Sequence, residues 1–147
     1  MQGTLSDGFV IINKPQGITS FDVIRIARRK LGVRKIGHGG TLDPMATGVL
    51  ILLVGKATKK FEEFMKLPKE YRATVKIGEA TTTGDAEGEI IRRYPPERVR
   101  MVKIEEIERV LKEFRGWIKQ VPPMVSALRY KGKRLYDLAR RNITVER

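Results

Sequence analysis

No cysteine occurs among the 147 residues. That excludes a disulfide framework and any thiolate nucleophile or thiolate metal site. Histidine occurs once, as His38, too few for a structural zinc site, and no metal or cofactor is expected. No apolar run approaches the roughly 20 residues of a membrane-spanning helix. The N-terminus lacks the basic-then-apolar pattern of a secretory signal. A cytoplasmic protein with no membrane association is therefore expected. Acids are scarce beside bases, 17 against 30, which leaves a formal charge of +13. A heat-adapted surface is rich in both signs and does not account for an excess of one; a polyanionic partner does. What remains is ordinary: 41% apolar residues, enough to build the core of one domain over 1–147.

Hydropathy and turn residues divide the chain into short elements. Gly8-Phe9-Val10-Ile11-Ile12 reads as a buried strand, stopped by the turn Asn13-Lys14-Pro15-Gln16-Gly17. Met1 to Asp7, before it, is polar and expected to fray. Thr19 or Ser20 can cap the next helix, with Asp22 in the first turn, where a carboxylate suits the helix dipole. Phe21, Ile24, Ala27 and Leu31 share one side of that helix, Arg25, Arg28 and Arg29 another, and Gly32 ends it. Six bases and no acid lie between Arg25 and Lys35. Such a run usually marks a solvated face, but phosphate contact is favoured here because the turn at Asp43 is close by in sequence.

Residues 49–54 are uninterruptedly apolar and read as a central strand. Gly55-Lys56-Ala57-Thr58 is not a phosphate-binding loop, because the glycine spacing is wrong and alanine follows the lysine. A helix over 56–66 is expected to bury Phe61, Phe64 and Met65. Residues 71–77 alternate, with Tyr71, Ala73, Val75 and Ile77 on one face. That predicts a half-buried strand with Tyr71 turned inward, paired in a hairpin with 88–93. The polar loop 81–88 lacks the terminal glutamate of a calcium loop. Ile104, Ile107, Val110, Leu111 and Phe114 mark an amphipathic helix, assigned to core packing and ended by Gly116. From Gln120 to Arg141 aromatics interleave with bases, a pattern suited to RNA backbone contact and base stacking. Residues 142–147 look like the approach to another strand. Strands and helices mix without a strict βαβ rhythm, so the expected class is α+β: a mixed, largely antiparallel sheet with packed helices.

The chain is organised around Gly37-His38-Gly39-Gly40-Thr41-Leu42-Asp43-Pro44-Met45-Ala46-Thr47-Gly48-Val49-Leu50. The three glycines before Asp43 permit positive φ and close approach of a ligand to the backbone. Pro44 fixes its own φ and restricts Asp43 to extended or turn geometry. An acid on so constrained a turn is either an Asx-turn carboxylate bonded to its own backbone or one held for chemistry; spacing alone leaves both open.

This stretch resembles the catalytic-aspartate motif of the TruB family of tRNA pseudouridine synthases. Asn13-Lys14-Pro15-Gln16-Gly17, Lys69-Glu70-Tyr71-Arg72-Ala73, the loop Thr81–Gly88 and Val121–Gly132 resemble further family motifs in the same order. The loop Thr81–Gly88 is closer to the bacterial, stand-alone branch than to the guide-RNA-dependent branch. The resemblance implies a pseudouridine synthase fold, incomplete at the C-terminus because family members run on past Arg147 and carry a further RNA-binding domain. It also implies a separate chain or missing segment that completes the catalytic domain. Its implied site has Asp43 as catalytic residue and Tyr71 lying against the target base. His38 would wedge into the RNA loop, and Lys14 would support the active-site loop close to the nucleic acid. Thr41, Asp85, Arg129, Tyr130 and Lys131 complete the expected RNA contacts, the last three within a gripping insertion over 121–142. The implied partner is the T-arm stem-loop of tRNA, and the implied reaction turns uridine-55 into pseudouridine with no cofactor. A non-catalytic RNA-binding or tRNA-folding module is the alternative, and a ribosomal-type basic protein a third reading that leaves Asp43 unexplained.

Overall fold

Val10 and Ile12 alternate with Phe9 and Ile11 along the first strand, β1 (Gly8–Lys14), so one side of it is turned to a core and the other is not. The computed structural model describes residues 7–126, 128–141 and 143–146. It separates into two units, Met1–Arg72 and Ala73–Arg147.

In the first unit, β1 is followed by helix α1 (Ser20–Leu31), strand β2 (Ile36–His38) and strand β3 (Gly48–Val54). β3 lies between the other two, and both pairings are antiparallel. An all-apolar strand needs neighbours on both edges and cover on its faces, which makes β3 the centre. Val23 and Ile24 of α1 pack on Ile36, Leu50, Leu52 and Val54, with Val10, Ile12, Ala27 and Leu42 around them. Thr19 caps α1 in a reciprocal capping box with Asp22, and Gly32 closes the helix in the left-handed conformation. The buried stripe of α1 runs through Ser20, Val23 and Ile24; Phe21 and Leu31, placed by spacing on the same side as Ile24, are exposed. The first strand departs from the reading of a fully buried one, since Phe9 and Ile11 are open to solvent.

After β3 comes a 3-10 turn (Gly55–Lys60) and then helix α2 (Phe61–Lys66). The helix expected over 56–66 is therefore split, and Phe61 and Met65 stay exposed while Phe64 is half-buried. A helix of six residues can turn only a narrow stripe to the sheet, and Phe64 occupies it.

The second unit holds the antiparallel pair β4 (Glu79–Thr81) and β5 (Ile90–Arg93), helices α3 (Pro96–Arg100) and α4 (Ile104–Lys112), the two-residue strands β6 (Arg129–Tyr130) and β7 (Lys133–Arg134), and helix α5 (Leu135–Ala139). Residues 71–77 do not form the expected strand; the hairpin uses 79–81 instead. Alternation supplies a face but not a ladder, and no strand among the described residues lies alongside 71–77 to share hydrogen bonds. Helix α4 forms where periodicity put it, yet Ile104, Val110 and Leu111, with Phe114 beyond its end, are exposed, so it is not core packing within this unit. The expected strand approach at the C-terminus is absent over 143–146, and Asn142 and Arg147 lie outside the described residues, as do Met1–Ser6. All strand pairings among the described residues are antiparallel, and the class is α+β.

Candidate active site

The turn at Asp43 is held by its neighbours rather than by Asp43 itself. Ser20, 3% exposed at the start of α1, donates its hydroxyl to the Leu42 carbonyl at 3.0 Å and accepts the Leu42 N–H at 2.9 Å. The main-chain carbonyl of Asp43 accepts the Ala46 N–H at 3.0 Å, which closes a four-residue turn with Pro44 in its second position. The Pro44 carbonyl accepts from the Gly17 N–H at 2.8 Å and from the Lys14 ammonium at 3.2 Å. Gly17 can present its N–H there because it sits at φ 89°, a conformation costly for other residues. Backbone on both sides of Asp43 is therefore pinned to β1, to the 15–18 turn and to α1.

Lys14 is fully buried, and its ammonium also donates to the carbonyls of Pro15 at 2.9 Å and Ile18 at 2.8 Å. Three acceptors match its three N–H bonds, which is what makes a buried ammonium tolerable. The expected placement of Lys14 beside nucleic acid is corrected by this geometry, because no donor is left to face solvent; the side chain supports the loop.

The Asp43 side chain is exposed and has no hydrogen bond or ion pair among the described residues. It does not bond its own backbone, so the Asx-turn alternative is not what the structure adopts. The glycines before it also act differently from the expectation. Gly37, Gly39 and Gly40 all have ordinary φ. Gly39 is buried, and a Cβ there would lie 2.8 Å from the Phe64 Cβ. The missing side chain lets α2 seat against the loop, rather than leaving room for a ligand.

His38 ends β2, half-buried, with Nδ1 enclosed and without a hydrogen-bond partner. Burial holds its pKa below the ordinary histidine value and favours the neutral ring. Thr41 is exposed between Gly40 and Leu42. Tyr71 is 66% exposed in a segment without regular secondary structure, not turned into a core. Two residues before it, Lys69 donates to the carbonyls of Met65 at 2.8 Å and Leu67 at 3.0 Å. Its Cε lies 3.7 Å from where a Cβ on Gly40 would be, so the segment leading to Tyr71 passes the glycine loop. Of the bases on α1, Arg25 pairs with Asp22, Arg28 donates to the Ile36 carbonyl at 3.0 Å, and Arg29 and Lys30 are exposed.

In the second unit, Asp85 organises its own loop. Its carboxylate accepts from the Thr83 hydroxyl at 2.5 Å and the Glu87 N–H at 2.9 Å, and these bonds lower its pKa. Arg129 and Tyr130 pair with Arg134 and Lys133 across a two-residue turn, Lys131-Gly132, in which both φ are positive (47° and 81°). Lys131 stands over the Tyr130 ring at 5.5 Å, and Arg134 and Arg140 over the Tyr136 ring at 5.6 Å each. A cleft of about 490 Å³ beside this hairpin is lined by Arg129, Lys133, Arg134 and Arg141, with Asp137 as its one acid. That clustering of cations suits a polyanion.

Sequence reasoning missed Ser20. It was read only as a possible cap, but a small polar residue on the same helical stripe as Val23 and Ile24 must find an internal partner, and that position was the available signal.

An exposed, unpaired carboxylate on a pinned turn, in a strongly basic α+β chain, is the candidate site of this molecule. The comparisons with known proteins give the family. The profile of the TruB family pseudouridylate synthase N-terminal domain matches residues 28–147. The chain is 48% identical over 140 residues to the tRNA pseudouridine synthase B of Aquifex aeolicus, covering 95% of this chain and 47% of that protein. It is 51% identical over 141 residues to the tRNA pseudouridine synthase B of Fusobacterium nucleatum, covering 96% and 48%. Among solved structures it is similar to a chain of a Cbf5–Nop10–Gar1 complex, with TM-score 0.56 and 31% identity over 86% of this chain and 32% of that one. A chain of an H/ACA RNP bound to a substrate RNA containing 2′-deoxyuridine gives TM-score 0.50 and 32% identity, covering 77% and 29%. This chain belongs to the TruB family of pseudouridylate synthases. It spans about half the length of the curated relatives it matches.

Proposed function

We propose that this chain supplies the aspartate-bearing part of a tRNA pseudouridine synthase that converts uridine-55 of the T-arm loop to pseudouridine in the cytoplasm. The observation that carries this reading is the free Asp43 carboxylate on a turn pinned from Ser20 on one side and from Lys14 and Gly17 on the other. In the reaction the bond between uracil N1 and the ribose C1′ breaks, the uracil turns, and C5 bonds to the same carbon. C5 then loses its proton and N1 gains one, so atoms balance within the nucleoside. The ribose carbon becomes electron-poor as the first bond breaks, and an ionised carboxylate can attack or stabilise it, as at a glycosidase centre.

The uridine must leave its stack to reach Asp43, at a cost of a few kcal/mol. In this reading Tyr71, which is exposed, stacks on the uracil, and His38 wedges into the vacated RNA loop. Thr41 contacts the RNA beside Asp43, and Asp85 orders a loop that meets the substrate. Arg129, Tyr130 and Lys131, with the basic cleft beside them, grip the backbone as part of an insertion over 121–142 in a catalytic domain that includes 1–147.

The test is Asp43→Asn in the natural polypeptide that carries this chain, assayed by tritium release from C5-labelled tRNA and by tRNA binding. Turnover is expected to vanish while affinity stays within a few fold. Substantial residual turnover would remove Asp43 from the chemistry. Tight tRNA binding with no turnover in the unaltered protein would favour the non-catalytic RNA module.

A further inference from the structure

Helix α2 ends on Leu67, whose backbone is extended (φ −60°, ψ 143°) because Pro68 follows it. So abrupt a stop leaves the last carbonyls of the helix without intrahelical donors. The Leu67 N–H reaches the Phe64 carbonyl at 3.4 Å. A side chain takes the next one: the Lys69 ammonium donates to the Met65 carbonyl at 2.8 Å and to the Leu67 carbonyl at 3.0 Å. A cation at the C-terminal end of a helix is also on the favourable side of its dipole. Residues 68–72 form no helix or strand, and among the described residues their one polar anchor is the Lys69 side chain.

The same helix meets the loop before the aspartate. Phe64 sits where Gly39 has no side chain, 2.8 Å from the place of a Cβ, and the stem of Lys69 passes Gly40, its Cε 3.7 Å from the place of a Cβ there. Gly40 is three residues before Asp43, and Lys69 is two before Tyr71. We propose that Lys69 is a positioning residue: by tying the approach to Tyr71 onto the end of α2, which is itself seated on Gly39, it holds Tyr71 in register with the Asp43 turn. The inference rests on the proposed function, in which Tyr71 stacks on the uracil. A lysine that grips RNA keeps its donors for phosphate, whereas two of the three N–H bonds of Lys69 are given to carbonyls of its own segment.

The test is a double-mutant cycle in the natural polypeptide that carries this chain, read as kcat by tritium release and as the tRNA dissociation constant. Lys69→Met keeps the stem and removes the donors; if far-ultraviolet dichroism finds it unfolded, Lys69→Gln takes its place. The variant is expected to lower kcat about tenfold, since a misplacement of about 1 Å can cost about a hundredfold, while the dissociation constant stays unchanged. Lys69→Arg, which can still reach two carbonyls, is expected to retain most of the rate. In a Tyr71→Ala background the same Lys69→Met change is expected to cost less than about twofold, because a residue that acts through Tyr71 then has nothing to position. Equal losses in the two backgrounds would overturn the proposal. So would weaker tRNA binding with a salt slope reduced by about one, which would make Lys69 a phosphate contact. An undiminished kcat in Tyr71→Ala would remove Tyr71 from the site and this proposal with it, and would leave the role of Asp43 to its own test.

Discussion

The Lys14 ammonium and the Pro44 carbonyl, thirty residues apart in the chain, lie 3.2 Å from each other, with the Lys14 side chain fully buried. One buried cation thereby holds the 15–18 turn and the turn of the exposed aspartate as a single piece. Lys14→Met keeps the aliphatic volume but leaves the Pro15 and Ile18 carbonyls without this donor. An unsatisfied buried acceptor costs about 1–3 kcal/mol, so urea denaturation of the variant is expected to show a loss of about 3 kcal/mol. Unchanged stability would mean that water replaces the ammonium without cost.

Ser20 holds the other side of the aspartate through both polar atoms of the Leu42 backbone. Ser20→Ala removes both bonds and leaves Thr19, the cap of α1, in place. A stability loss of about 2 kcal/mol is expected. Under the proposed function, kcat of the natural polypeptide is expected to fall while the tRNA dissociation constant stays near its original value, because the buried Ser20 hydroxyl bonds only the Leu42 backbone beside Asp43. An equal effect on binding would show that the turn also shapes the RNA surface.

Gly39 and Gly40 are neighbours in sequence but not in tolerance. A Cβ at Gly39 would meet the Phe64 Cβ at 2.8 Å, whereas at Gly40 its nearest neighbour, the Lys69 Cε, is at 3.7 Å and free to move. Gly39→Ala is expected to cost about 1–3 kcal/mol by displacing α2, and Gly40→Ala clearly less. Thermal melts of the two variants compared directly decide it; equal costs would mean that Phe64 does not seat on the loop in solution.

Asp22 offers a pH test of the first helix. Its pKa is lowered from 3.8 to about 2, first by the Thr19 hydroxyl, then by the Thr19 N–H and by Arg25. A folded-state pKa below the unfolded value means that the carboxylate stabilises the helix start above about pH 4, and that this is lost as pH falls through about 2. An NMR titration should give the Asp22 carboxyl a midpoint near 2, with the Thr19 and Asp22 amide shifts following it. A midpoint near 3.8 would place the capping box open in solution.

The parts of this molecule that were legible in the sequence are those governed by neighbours along the chain. Helix α1 with its Thr19 cap and Gly32 stop, the central apolar strand before Gly55 and the helix begun at Ile104 all follow from periodicity and turn chemistry. The Asp43 motif was legible as a pattern of residues. Three things were not. The glycines of the motif were read for φ or for a ligand, but the structure uses Gly39 for the contact with Phe64. Lys14 was read as supporting the active-site loop close to nucleic acid, but the convergence of the Pro15, Ile18 and Pro44 carbonyls on its buried ammonium, which leaves no N–H for RNA, was not legible. Residues 71–77 have the alternation of a strand and no partner among the described residues.

By itself, then, the amino-acid sequence determined the local elements, the positive surface and the presence of a lone acid between glycines and proline. Tertiary structure alone decided that this acid stays unpaired. The reason is that its restraints come from Ser20, Lys14 and Gly17, residues at least 22 positions away for the two side chains, and hydrogen bonds between distant segments leave no trace in local spacing. Tertiary structure also decided which side of an alternating strand is covered, because cover depends on what the rest of the fold lays against it and not on the strand.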